Sequence, residues 1–192
     1  MDQSRADGVP DAHPSHQRAG DGSIPISALV FRECSIREAM NLNQQWHSLL
    51  PRTVFSNLIR TRRKVCYAAD YLDFPIMAAI WTTPIASNRL KDGLLLLELR
   101  RLACCPLAPP NACSRMIAWM TRDIRRRWPE LMRLISYQDA SVHAGTIYSA
   151  SGWTKADTKA STSEWNGVTG RKRNAPQATG RKIRWERDLT GR

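Results

Sequence analysis

Groups able to do chemistry concentrate between Arg100 and Tyr148. The run Asn111-Ala112-Cys113-Ser114-Arg115-Met116 lies where an amphipathic helix begins. A helix start leaves backbone N–H groups unpaired and carries the positive end of the helix dipole, so it favours phosphate. The Ser114 hydroxyl can donate to such an anion or cap the helix, and Arg115 can add charge. The preceding Pro109-Pro110-Asn111 holds no glycine, which makes a less permissive backbone. Arg100 and Arg101 are consecutive on a predicted strand, so their side chains should point to opposite faces. Arginine is rarely buried unpaired. Arg101 therefore reads as a contact to an anionic ligand or as half of an ion pair with Glu98 or Asp139, and the first is favoured. Asp139 ends a strand, where a carboxylate can accept a proton or cap a helix. Tyr148 brings a phenol with an ordinary pKa of about 10, able to donate a proton; a buried packing aromatic is the competing reading. His47 lies on the first helix, and no H-x-x-H or facial-triad spacing accompanies it. His143 reads equally as a helix-start residue, a ligand or a proton shuttle.

These groups need a frame, and the sequence supplies one. The apolar run from Leu94 to Leu97 continues to Cys104 and suits a buried strand. Met116, Trp119, Met120, Ile124 and Trp128 recur at helical spacing, with arginines largely between them, and Pro129 stops the helix. A second strand, Leu131 to Tyr137, precedes a short helix ending in Ser151-Gly152-Trp153. Strand, helix, strand, helix predicts a crossover in an α/β sheet, with a site where the two strands end. Upstream, Ser27–Phe31 reads as a strand, and Ser35 with Glu38 forms a capping box. The helix after it carries Ile36, Ala39, Met40, Asn43, Trp46 and Leu50, and a second short helix is expected through Val54 to Ile59. Val65–Ala69 and Ile76–Trp81 read as a hairpin. Arg181 to Arg187 alternates as a final strand. Residues 1–26, with Asp2, Asp7, Asp11 and Asp21 among Gly, Pro and Ser, read as a disordered tail, and 27–192 as one catalytic domain with a basic C-terminal segment.

Composition narrows the partners. In 192 residues, 29 Lys and Arg outweigh 17 Asp and Glu, a formal charge of +12, which favours a polyanion, nucleic acid before an anionic membrane. The five cysteines form no C-x-x-C, so neither a zinc ribbon nor a disulfide framework is indicated. No window approaches the roughly 20 apolar residues of a membrane span. The N-terminus lacks the basic and apolar regions of a signal peptide. A soluble cytoplasmic protein is expected.

Ala144-x-x-Ile147-Tyr148 closing on Gly152-Trp153 resembles the acyl-CoA half of GNAT-type N-acyltransferases, whose last helix reads A-x-x-[apolar]-Tyr-x-x-x-Gly-[aromatic]. More narrowly, Leu99-Arg100-Arg101-Leu102-Ala103, Asn111 to Met116, Ser136-Tyr137-Gln138-Asp139 and His143 to Tyr148 resemble the Mom family of phage Mu-like viruses. The resemblance covers about residues 28 to 190. It implies a single α/β (α+β) GNAT-like domain with a mixed central sheet flanked by helices. It implies conversion of adenine in double-stranded DNA to an N6-carbamoylmethyl form that resists host restriction, in the bacterial host's cytoplasm. Acylation of a protein or small-molecule amine is the alternative. It implies an acyl-CoA or related nucleotide donor held by Arg101, Ser114 and Arg115, and catalysis by Tyr148, which would protonate a leaving thiolate, and Asp139. It also implies iron, with His47 in a ligand position. GNAT enzymes usually place a glycine-rich loop where this chain has Pro109 to Ser114.

Overall fold

The computed structural model describes residues 24–47, 58, 61–84, 95–156 and 182–191. Seven strands form one sheet: β1 (Val30–Glu33), β2 (Lys64–Tyr71), β3 (Phe74–Thr82), β4 (Leu96–Cys104), β5 (Arg133–Asp139), β6 (Thr154–Lys155) and β7 (Lys182–Asp188), in the order β1-β2-β3-β4-β5-β7-β6. Only β4 and β5 run parallel; every other neighbouring pair is antiparallel. Three helices accompany them among the described residues: α1 (Ile36–Trp46), α2 (Ala112–Arg127) and α3 (Thr146–Ala150). This is the expected mixed sheet with flanking helices. The first strand starts at Val30, because Ile26–Ala28 after Pro25 closes a 3₁₀ turn instead. Of the short helix expected through Val54 to Ile59, Leu58 is helical and the rest lies outside the described residues. So do residues 1–23 of the expected tail. No helix among the described residues is long and apolar enough to cross a membrane.

Local signals account for the helices. Ser35 caps α1 by accepting from the Glu38 amide at 3.1 Å. Ala39, Met40, Leu42 and Asn43 are its buried residues. Ala39 and Met40 pack with Cys66 and Ile80 on one face of the sheet. α2 buries Met116, Ile117, Met120 and Ile124 with Tyr67, Met77, Trp81, Leu97 and Leu134 on the other. With both faces covered, β2 and β3 read as near-continuous apolar runs.

Two irregularities shape the centre of the sheet. Trp81 pairs with Leu99 but Ile80 pairs with Arg101, so Arg100 is an extra residue, a β-bulge in β4. Cross-strand partners share a face. Leu99 therefore faces the α2 side, while Arg101, opposite Ile80, faces the α1 side. Glu98, opposite Thr82, also faces α1, and Arg100 reaches it at 3.4 Å. The two arginines thus lean to one face, not to opposite ones, because the bulge breaks the period-two alternation. The second irregularity is the end of the parallel ladder. β4 and β5 pair from Leu96↔Arg133 to Leu99↔Ser136 and no further, although β4 runs on to Cys104 and β5 to Asp139. A slot opens between them.

Candidate active site

Tyr148 sits where the slot begins. Its hydroxyl lies 2.9 Å from Ser136 Oγ, and Ser136 Oγ donates to the Leu99 carbonyl at 3.2 Å. Ser136 has one proton, so Tyr148 O–H is the donor in the shared bond. Leu99 and Ser136 are the last paired residues of the two strands, so the phenol marks the point where they part. Burial raises the Tyr148 pKa above the usual phenol value, against a lowering by Ser136. The group therefore holds its proton at neutral pH and can give it to a strong base. Its position is over-determined: the ring stacks on Trp185 at 5.4 Å and 18°, and lies 5.7 Å from Trp153. Trp185 Nε1 donates to the buried Gln138 Oε1 at 2.6 Å, and Gln138 Nε2 donates to the His143 carbonyl. Gly145, at φ +79°, starts the α3 turn where any Cβ would collide with Gln138 and Trp185.

The start of α2 forms the wall beside Tyr148. The helix begins two residues before Ser114, with Asn111 as its N-cap. Asn111 takes φ +64°, the left-handed conformation that asparagine tolerates best after glycine, and so replaces the missing glycine of the loop. Ser114 is buried and donates back to the Asn111 carbonyl at 2.9 Å, so it is not the cap. The Ala112 and Arg115 amides are used by Pro109 and Asn111 carbonyls. That leaves the Cys113 and Ser114 amides, which helix geometry gives no intrahelical acceptor, for an anion. Arg115 is exposed on this first turn, where a cation opposes the helix dipole unless an anion joins it. Cys113 is close enough to Tyr148 to influence its pKa. Its thiol hydrogen-bonds Cys104 at the end of β4, which lowers the Cys104 pKa.

The opposite face of the slot is built differently. Alternation along β5 puts Ser136 and Gln138 on the α2–α3 side and Tyr137 and Asp139 on the α1 side. Arg101 leaves β4 on this same side. Its Nη1 donates to the Arg100 carbonyl at 2.7 Å, and among the described residues it has no ion pair of its own. Burial, then the charge of Arg100, lowers its pKa to about 10. His47 is the C-cap of α1, and burial, Arg101 and His143 together lower its pKa. Its Nδ1 is buried without a partner among the described residues. Asp139 Oδ1 accepts from the Ser141 amide at 3.0 Å and from the Ser141 hydroxyl, which holds its pKa below the usual carboxylate value. Its Oδ2 is buried and unpartnered among the described residues. The slot thus brings Ser114, Arg115 and Tyr148 to one side and Arg101, His47 and Asp139 to the other.

Among the described residues no group of three His, Cys, Asp or Glu could hold a metal ion, and the Arg101 guanidinium near His47 works against a second cation there. Sequence reasoning passed over Ser136 and Gln138, the two polar residues that position Tyr148. Their signal was present: polar residues at alternate places in an otherwise apolar strand need partners on one face.

Known proteins share this frame. Over 85% of this chain and 96% of its own, the ribosomal-protein-S18-alanine N-acetyltransferase of Escherichia coli superposes with a TM-score of 0.58 at 13% identity. An acetyltransferase of Bacillus subtilis, solved in complex with CoA, covers 83% of this chain and 97% of its own with a TM-score of 0.55 at 12% identity. An N-acetyltransferase of Staphylococcus aureus Mu50 covers 84% and 99% with a TM-score of 0.58 at 13% identity. At such identities the likeness establishes the GNAT acetyltransferase fold. No curated protein matches the sequence. The profile of the Mom protein family matches residues 84–190, more than half of the chain, and takes in both strands of the slot and the helices that wall it. The chain belongs to the Mom protein family.

Proposed function

We propose that the protein is a phage DNA-modification transferase that converts adenine in double-stranded DNA to its N6-carbamoylmethyl derivative and so protects viral DNA from host restriction. The observation that carries the reading is the Mom family match across the slot. The arrangement of the slot supports it. An acyl-CoA or related nucleotide donor would lay its pyrophosphate on the Cys113 and Ser114 amides, with Arg115 adding charge. Its chain would run into the slot, where unpaired strand edges of β4 and β5 offer hydrogen bonds. Donor binding would set the leaving group near Tyr148, whose proton would go to it as N6 bonds the donor carbon, the bond from that carbon to the leaving group breaks, and the displaced N6 proton passes to solvent. The carbamoylmethyl product is joined to N6 through CH₂, so the donor carbon in this reading is a methylene; attack on a thioester carbonyl would leave an N6-acyl adenine instead. The adenine amine would enter from the α1 side. Asp139, with one oxygen committed to Ser141 and the other uncommitted, would accept a hydrogen bond from that amine and orient it. Its lowered pKa suits orientation more than proton removal. Reaching the amine requires an unpaired or extruded base, and the net charge of +12 favours holding the phosphate backbone around it.

The test is expression beside a plasmid, digestion of the DNA to nucleosides, and mass spectrometry. Adenosine of increased mass is expected. Unmodified adenosine from soluble protein in iron-replete cells would overturn the reading. The second reading, acylation of a protein or small-molecule amine, is favoured by the fold shared with the CoA-bound Bacillus subtilis enzyme. It predicts acetyl-CoA turnover with amine acceptors and no dependence on DNA.

A further inference from the structure

We propose that Tyr137 is the platform on which the target base stacks. The inference rests on the adenine-modifying reading and specifies how its acceptor side grips a nucleobase. Tyr137 is the first residue of β5 beyond the last β4–β5 pair, so it stands at the lip of the slot. It shares the α1-side face with Asp139, two residues on, at a Cα spacing of about 7 Å, roughly the width of a purine. A base lying on the ring would therefore bring its edge toward the uncommitted Asp139 oxygen.

The other aromatic rings of the slot are already taken. Tyr148, Trp153, Trp185 and Trp81 are buried and packed in a chain of ring contacts on the opposite side. Tyr137 is 40% exposed and, among the described residues, its ring stacks on none and its hydroxyl bonds none. Among the described residues, a large aromatic left this bare beside the buried Ile135 and Ser136 makes no ring contact or hydrogen bond that would explain its place. Aromatic platforms of this kind hold single bases without reading their sequence. The surrounding groups fit a nucleotide. Arg101 and His47 offer donors on the same side, and Lys182 pairs across from Asp139.

The test compares wild type with Tyr137→Phe and Tyr137→Ala, using duplex oligonucleotides that carry either one unpaired adenine or an abasic site at the same position. Because Tyr137 is exposed, thermal melting should be nearly the same in all three. Wild type and Y137F should bind the unpaired-adenine duplex roughly 5- to 100-fold tighter than the abasic one, and Y137A should lose that preference. The salt dependence of binding should not change. Plasmid modification in cells should fall with Y137A and persist with Y137F. If wild type modifies adenine and Y137A modifies it equally, or keeps the preference for unpaired adenine, the stacking role is overturned while the adenine-modifying reading stands. If wild type neither modifies DNA nor prefers the unpaired base, both fall.

Discussion

Removing either partner of the Tyr148–Ser136 bond should separate stability from activity. Tyr148→Phe deletes one hydrogen bond of 2.9 Å. Ser136 Oγ keeps its bond to the Leu99 carbonyl at 3.2 Å, so no buried group is stranded. The expected cost is about 0.5–1.5 kcal/mol. Ser136→Ala leaves a phenol hydroxyl on a residue only 8% exposed without an acceptor, and also frees the Leu99 carbonyl. That cost is about 1–3 kcal/mol, with each kcal/mol worth roughly 2–4 °C in melting temperature for a chain of this size. Activity should rank the other way. Y148F removes the proton donor and should lower modification about 10²- to 10⁴-fold. S136A keeps the donor and only loosens it, so its loss should be smaller. The assays are thermal melting and the fraction of modified adenosine per unit of soluble protein. Wild-type modification by Y148F, or a higher melting temperature for S136A than for Y148F, would refute the roles assigned to the pair.

Three further outcomes follow from particular contacts. Arg101→Met should raise the melting temperature, since it removes a half-buried cation that has no ion pair of its own among the described residues, while lowering modification; a fall in stability would contradict this. Gly145→Ala should destabilise by more than about 2 kcal/mol, because φ is +79° and its Cβ would lie 2.7 Å from Trp185 and closer still to Gln138; a melting temperature unchanged from wild type would show that the turn can shift. Cys104 should alkylate well before Cys34 and Cys66. The Cys113 hydrogen bond lowers its pKa, whereas burial pushes the other two up to about 12, leaving on the order of 10⁻⁴ thiolate at pH 8; peptide mapping after brief iodoacetamide treatment reads the order.

The sequence carried the frame of this molecule better than its details. The stripe from Met116 to Ile124, and the Tyr148 to Trp153 spacing, located α2 and α3 because periodicity and turn residues act locally. Six of the seven strands were legible for the same reason; the two-residue β6, Thr154–Lys155, is too short to carry a pattern of its own. Less legible was whatever depended on neighbours. No residue type marks Arg100 as a bulge, and only pairing with β3 reveals that Ile80 meets Arg101 and not Arg100. Ser114 resembled a cap by type, yet Asn111 holds that place because it can adopt the left-handed backbone that the Pro109-Pro110 turn imposes. Tyr137 alternates with Ser136 and Gln138 and so could be expected to reach the cleft, but its bareness is a property of the strands parting beside it. Nor does the sequence show that Arg101 projects toward the α1 side of the sheet while Ser114 sits on α2, which covers the other face.

The single inserted residue in β4 acts as a half-turn in a screw. Upstream of it the odd-numbered side chains serve one layer of the protein; downstream the even-numbered ones do, so Leu97, Leu99, Leu102 and Cys104 all reach the α2 layer although they do not share one parity. Excision of Arg100 would therefore only make the alternation regular, leaving Leu99 and Leu102 on the α2 layer and Arg101 opposite Ile80. What the extra residue adds is a second guanidinium beside Glu98 on the α1 side, gained without displacing any apolar side chain from the other layer.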